Sequence, residues 1–531
     1  MPEKITPPYY PIIYVRGYAG SETAVEDTVA TPYMGFNLGS TKLRQRWTGE
    51  IQRFYFESPL VRLMKLQNHP YRDVYHEGDP LVELPGFGPD DPDVPAQPGP
   101  PISPRSIIIY RYYEPISEDL GEEDRPDLPF YARGLGRLIV RVRDQICQGD
   151  PESLAAFKVY LVAHSMGGLI CRCFLQHPPE GTPPTQQYVD KVFTYATPHN
   201  GIEMKVIGNV PGFITKNNQH NFNRKYMAKY LGLSPDSKRV DSLNGKFDPD
   251  RFFCLVGTNH KDYEVAGGWS RRMVGPMSDG LVRIDNASVQ GAPRAFVHRS
   301  HSGDYGIVNS EEGYQNLSRF LFGDMRVDGI LRIKEITLPP EIFEAVTKKK
   351  KKLRASYHFE TVVRPRDARY DLSRRVVDEG SAVFRKYDEL FHPGKVGLDQ
   401  PREPVLFSTF LRIANRSRRA GALVFSVDLR ILVPEYELDG RIFDHHIEGS
   451  YLFRDVIHIA AESPEISKGD WVVRYGFDSS TPGRPGQRLA VRKVGAADTR
   501  FEIPIVNKTR PGIDAILELV ARPWNQPGGG A

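Results

Sequence analysis

The stretch Lys158-Val-Tyr-Leu-Val-Ala-His-Ser-Met-Gly-Gly168 constrains the fold more than any other part of the chain. Its Val, Tyr and Leu residues read as a buried strand. The strand runs into Ala-x-Ser-x-Gly and continues as an apolar helix, Met166 to Gln176. A chain that passes from strand to helix in so few residues must turn sharply at Ser165, and the turn pushes the serine hydroxyl out of the backbone. Ala163 and Gly167 supply the small side chains that such a turn needs, because a larger Cβ would collide with the flanking strand and helix. Ala163 stands where glycine is usual.

Other apolar runs give this turn a sheet to sit on. Tyr10 to Val15, Ile107 to Tyr112, Lys191 to Ala196, Phe252 to Val256 and Ala295 to His298 read as strands. Tyr131 to Cys147 carries Leu135, Leu138, Ile139, Val142 and Ile146 on one helical face, and Glu311 to Phe322 reads as another helix. Residues 42–67 also show helical spacing through Leu43, Trp47, Ile51 and Phe54. Strands alternating with helices imply an α/β fold with a mostly parallel central sheet, and such sheets bind ligands beyond the carboxyl ends of their strands. From about Leu331 the texture changes to short alternating strands, such as Phe425, Val427, Leu429, Ile431 and Val433. They imply a C-terminal all-β domain, an antiparallel β-sandwich. The expected organisation is a domain over 1–330, a linker over 331–354 holding the lysine run Lys348 to Lys352, and an accessory domain over 355–531.

Composition narrows the function classes. The chain has 531 residues, and its 70 basic and 66 acidic residues nearly balance at +4. No global attraction to nucleic acid follows. Four cysteines, Cys147, Cys171, Cys173 and Cys254, do not make a disulfide framework. His445-His446 has no third metal ligand at sensible spacing and reads as loop histidines. No N-terminal signal and no apolar run of about 18 residues is visible. A cytoplasmic location is the default expectation, and no metal or other cofactor is expected.

A serine becomes a nucleophile only beside a base, and the base needs a carboxylate to hold its tautomer. Downstream of Ser165, Ser278-Asp-Gly-Leu-Val282 offers Asp279 after the Phe252 strand, with Asp285 and Asp304 as rivals. Ser300-His-Ser-Gly303 offers His301 just past the last strand, with His298 as its rival. His164 and His199 read as structural residues.

Residues 10 to about 324 resemble the α/β-hydrolases of the bacterial lipase/esterase type, and are similar also to the GPI inositol-deacylase-like group. The resemblance rests on Ala163-His-Ser-Met-Gly167, Ala196-Thr-Pro-His-Asn-Gly201, Ser278-Asp-Gly-Leu-Val282 and His301. It implies a catalytic triad of Ser165, Asp279 and His301, and an oxyanion hole made by the backbone N–H groups of Tyr18 and Met166. The family shows His-Gly-x-x-Gly in the first loop, where this chain has Arg16-Gly-Tyr-Ala-Gly20. The implied activity is cleavage of carboxylic esters through an acyl-enzyme, on a small-molecule or lipid ester. Phospholipase, amidase and acyltransferase chemistry share the triad. A non-catalytic binding or scaffold protein on a hydrolase fold is the alternative of another class. Peripheral membrane or lipid contact stays open as a partner, and nucleic acid is not expected. Residues 200–250 form a polar insertion whose Phe222, Tyr226, Tyr230 and Leu231 share a helical face, either a lid over Ser165 or a helix packed on the body.

Overall fold

The computed structural model describes residues 3–17, 36–45, 47–76, 100–110, 112, 127–204, 208–209, 220–262, 277–303, 306–349, 351–366, 368–391, 403–417, 421–438, 445–468, 470–494 and 498–525. By its contacts the chain divides into two units. One is Met1–Arg294 with Arg299–Leu317, and the other is Ala295–His298 with Ser318–Ala531.

Seven strands form the sheet that organises the first unit: β1 (Ile12–Val15), β2 (Asp73–His76), β3 (Ser106–Tyr110), β4 (Val159–His164), β5 (Val189–Tyr195), β6 (Phe252–Gly257) and β7 (Arg294–Val297). Their order is β7-β6-β5-β4-β1-β3-β2. The registered pairings from β2 through to β6 are all parallel. Every residue of β1, β3, β4 and β6 is buried. That is why these segments read as unbroken apolar runs rather than alternating ones: helices cover both faces of a parallel sheet. Helix α1 (Leu128–Cys147) has a proline in its first turn and ends at Gln148 in a left-handed conformation, φ 46°. It buries Leu135, Leu138, Ile139, Val142 and Ile146, the stripe expected from the spacing. Helix α2 (Met166–Gln176) is buried along its whole length.

Residues 42–67 are not one helix. They form a hairpin, Ser40–Gln45 paired antiparallel with Ile51–Phe56, followed by a short helix Pro59–Met64. The apolar spacing fits a helical face, but Thr48-Gly49 makes a turn with Gly49 at φ +85°. The β-branched and aromatic residues after it favour a strand. The insertion over 200–250 carries helix α3 (Arg224–Tyr230), capped by Asn223 and burying Met227, Ala228 and Tyr230. The Tyr226 hydroxyl donates to Asp127 at the start of α1, 2.8 Å away. Over 220–250 the candidate lid is therefore a layer packed on the body; residues 205–207 and 210–219 lie outside the described residues.

After helix α4 (Glu311–Phe322), the second unit builds two antiparallel sheets. One holds β8 (Met325–Thr337) between β10 (Val405–Leu411) and β15 (Gly512–Pro523), with β14 (Asp498–Asn507) beyond. The other holds β9 (Leu353–Pro365), β11 (Leu423–Leu432), β12 (Tyr451–Glu462) and β13 (Val472–Phe477) in that order. Their inner faces share one apolar core, to which β8, β11, β12 and β14 contribute Val327, Val427, Ile457 and Ile503. Strict alternation of buried and half-buried residues along β11 matches the sequence pattern. The expected linker over 331–354 is not one. Leu331 to Thr337 complete β8, helix α5 (Pro340–Thr347) follows, and β9 begins at Leu353. The pair His445-His446 opens a strand rather than lying in a loop.

Candidate active site

At the carboxyl end of β4 the chain turns at Ser165 with φ 51° and ψ −123°. A non-glycine residue is rarely held there, and it persists only where its surroundings over-determine it. The Ser165 N–H donates to the Tyr195 carbonyl at 2.9 Å, and the Ser165 carbonyl accepts from the Gly168 N–H at 3.1 Å. A Cβ on Gly167 would stand 2.1 Å from the Val15 carbonyl oxygen, and one on Gly17 would stand 2.6 Å from the Ser165 Cβ. Both positions must therefore be glycine if the elbow is to close against β1. Ala163 needs no such exception. It is still inside β4, in register with Val15 on one side and Thr194 on the other. The parallel sheet, with the sharp turn from its central strand into a buried helix, defines the architecture. This is the α/β-hydrolase fold.

Two loops from neighbouring strands meet at the elbow. His301 Nε2 lies 2.9 Å from Ser165 Oγ, and His301 Nδ1 lies 2.9 Å from Asp279 Oδ2. All three side chains are buried. The carboxylate is itself fixed, since Asp279 Oδ1 accepts from the Leu281 and Val282 N–H groups at 3.0 and 2.8 Å. The His301 N–H donates to the Asp279 carbonyl at 3.0 Å, which ties the two loops together by their backbones. With the carboxylate on Nδ1, the imidazole carries its proton there and offers Nε2 as acceptor to the serine hydroxyl. The sequence-predicted Ser165, Asp279 and His301 thus come together in one hydrogen-bonded series. Met166 is the first residue of α2, so its N–H is one of the helix's unpaired amino-terminal donors and sits where the helix dipole is positive. Tyr18 lies outside the described residues. The Arg16 carbonyl accepts from the Tyr112 hydroxyl at 2.9 Å, which anchors the start of that loop.

The rivals are placed elsewhere. His298 is half-exposed, with Nδ1 3.4 Å from Glu379. Asp285 sits exposed on a 3₁₀ turn, its carbonyl accepting from Arg239 at 2.9 Å. Asp304 lies outside the described residues. His199 is buried with Nε2 3.1 Å from Thr194 Oγ1. Among the described residues no three His, Cys, Asp or Glu side chains gather as a metal site, and the four thiols are buried and free.

Sequence reasoning missed three supports. His164 Nε2 donates to the His301 carbonyl at 2.9 Å, so the last residue of β4 holds the loop that carries His301. Arg299, two residues before His301, pairs with the buried Glu312 of α4 at 2.8 Å. Arg172 on α2 is fully buried without a carboxylate: its guanidinium donates to Gln176 Oε1 and to the carbonyls of His199, Val240 and Ser242, each at 2.8 Å. The signal for Arg172 was a lone charge in an otherwise apolar helix. For His164 and Arg299 there was none, because their partners are distant in sequence.

Burial drives the His164 imidazole well below its ordinary value of 6.5, with help from the neighbouring His301 and the Arg16 charge. His199 is shifted the same way, by burial and then by Arg172. Both are neutral when folded, while the unfolded chain takes up their protons below about pH 6.5. Stability is thus fully present above 6.5 and falls as pH drops below it, by about 1.4 kcal/mol per pH unit for each histidine. Urea midpoints between pH 7 and pH 5 should show this loss. His164→Asn, which keeps a donor but cannot titrate, should shed about one histidine's share of the slope. An unchanged slope would mean that His164 takes up its proton while folded.

No family model matches the chain, and no curated protein matches it. Among solved structures, the lin2722 gene product of Listeria innocua is 12% identical over 59% of this chain and 93% of its own, with a TM-score of 0.24. A metagenomic carboxyl esterase is 11% identical over 60% of this chain and 77% of its own, with a TM-score of 0.30.

Proposed function

We propose that the first unit is a serine hydrolase that cleaves carboxylic esters through an acyl-enzyme. The observation that carries the reading is the unbroken Asp279–His301–Ser165 series on a strained elbow, with 2.9 Å at each link to the imidazole. In this reading Ser165 Oγ attacks the ester carbonyl as His301 Nε2 takes its proton. His301 then passes that proton to the departing alcohol. Asp279 keeps the imidazole in register and stabilises it while charged. The amide of Met166 and the amide of Tyr18 would hold the oxyanion, each contributing on the order of 10²-fold or more. A water deprotonated by His301 then attacks the acyl-enzyme, releasing the acid and returning Ser165. The same residues would serve on an amide or a phospholipid ester, or pass the acyl group to an alcohol, so the acyl and leaving groups are assigned by substrate screening.

A fluorophosphonate probe tests the nucleophile directly. It should label wild-type protein on Ser165 and leave Ser165→Ala unlabelled. A folded wild-type protein that fails to react would remove the enzymatic reading and leave a binding protein on this fold.

A further inference from the structure

The hairpin between β1 and the helix Pro59–Met64 is left uncovered on one face. Its register pairs Thr41 with Tyr55, Leu43 with Arg53 and Gln45 with Ile51. Alternation along paired strands puts these six residues on one side of the ribbon, and all six are exposed. Trp47, in the turn that joins the strands, is 98% exposed; Tyr55 is 73%, Ile51 61% and Leu43 57% exposed. Leu38, just before the first strand, is also exposed. These are among the few large apolar side chains of the described first unit that face water, and they cluster within one element. A two-stranded hairpin gains little stability by itself and has nothing to gain from an exposed tryptophan at its tip. Apolar side chains are usually exposed singly; a cluster at the end of a projecting ribbon marks a contact surface.

Charge says which kind. Residues 38–56 carry Lys42, Arg44, Arg46 and Arg53 against a single acid, Glu50, in a chain that is otherwise close to balanced. An amphipathic tryptophan at a tip, flanked by aliphatic side chains, a tyrosine and basic residues, matches the chemistry of a bilayer's headgroup boundary. The apolar tip would enter the acyl region while Arg53, exposed on the same face, meets anionic headgroups. We propose that the hairpin Ser40–Phe56 docks this protein on membranes that carry anionic lipid, with Trp47, Ile51 and Leu43 as the inserted residues. No described helix is long and apolar enough to cross a membrane, so the contact is with the surface. This surface function does not depend on chemistry at Ser165.

Vesicle sedimentation tests it, using the full chain, its Ser165→Ala form, and vesicles of phosphatidylcholine alone or mixed equally with phosphatidylglycerol. Both proteins should sediment with the mixed vesicles, more weakly with phosphatidylcholine, and less as salt rises. Trp47→Ala combined with Ile51→Ser should weaken binding at least about tenfold. Both residues are exposed, so the urea midpoint of that variant should stay at the wild-type value. Arg53→Glu should weaken binding to the mixed vesicles and leave the phosphatidylcholine result unchanged. Failure of wild type to sediment with either vesicle would overturn the proposal. So would equal binding by wild type and the double variant. Lipid-free self-association that the double variant abolishes, with no vesicle binding, would make the face a protein contact instead.

Discussion

His301→Ala is expected to lower kcat/KM for a p-nitrophenyl ester on the order of 10⁴-fold or more, and Ser165→Ala should do the same. The two changes together should cost little more than either one, because the groups act as a unit and each is useless without the other. Asp279→Asn should fall on the order of 10⁴-fold, since an amide would hold Nδ1 unprotonated and leave the proton on Nε2, where it blocks acceptance from Ser165. His298→Ala should leave turnover near wild type: that imidazole is half-exposed and paired with Glu379. Steady-state rates on the five variants decide it. If His298→Ala fell as far as His301→Ala, the base would have to be reassigned, and with it the 2.9 Å series at the elbow. If His301→Ala kept most of the activity, ester turnover would arise somewhere other than Ser165.

The parts of this site that were legible in the sequence are those whose physics is local. The elbow declares itself because strand, turn and helix are contiguous, and because the close approach of Gly167 to β1 excludes any side chain there. Asp279 is visible because an Asp-Gly turn follows a strand. Its carboxylate caps the same turn, through the amides of Leu281 and Val282, that makes it recognisable. Six strands of the first sheet are legible for a similar reason, their long apolar runs being buried; the edge strand Asp73–His76, with Asp and His at its ends, lacks that pattern and was not read. The hairpin at residues 40–56 was misread because apolar residues spaced three or four apart promise a buried helical stripe, and here Leu43, Trp47 and Ile51 are exposed. Their exposure, invisible in the sequence, is what turns a misread helix into a candidate docking surface. The boundary near residue 331 was misplaced because β8 mixes Arg326, Asp328, Arg332, Lys334 and Glu335 into its strand pattern. These residues are tolerated by partners such as Glu518 for Arg332 and Asp514 for Lys334, both on the neighbouring β15.

Arg172 shows the non-local kind of information most sharply, and Arg172→Leu is the stability change expected to be largest. Two effects oppose each other. Burial without a carboxylate penalises the charge: the guanidinium is held at about 10, down from 12.5. Removing it would relieve a penalty of about 3 kcal/mol. Against that stand four charge-assisted hydrogen bonds, to Gln176, His199, Val240 and Ser242. Each contributes about 1.5–3 kcal/mol, and losing it strands a buried acceptor. Among the described residues, only the Ser242 carbonyl of these acceptors keeps a second donor, Gln176 Nε2 at 2.9 Å. The bonds outweigh the relief, so Arg172→Leu should destabilise the first unit by about 4 kcal/mol, read as a lower urea midpoint. Arg172→Lys should recover only part of this, because a compact ammonium cannot reach acceptors spread around a planar fork. The consequence reaches the carboxyl end of the sheet, where Ser165 lies. Arg172, with Gln176 on the same helix, ties the 240–242 segment to the helix that begins at Met166, and Arg172 also ties the His199 turn to it. Ester turnover in Arg172→Leu should therefore fall at temperatures well below its global unfolding transition. A leucine variant with a wild-type midpoint would mean that those carbonyls find water, and that the remaining bonds of the insertion, such as Gln176 Nε2 to the Ser242 carbonyl and the Val240 N–H to Asn200 Oδ1, hold it to the body without Arg172.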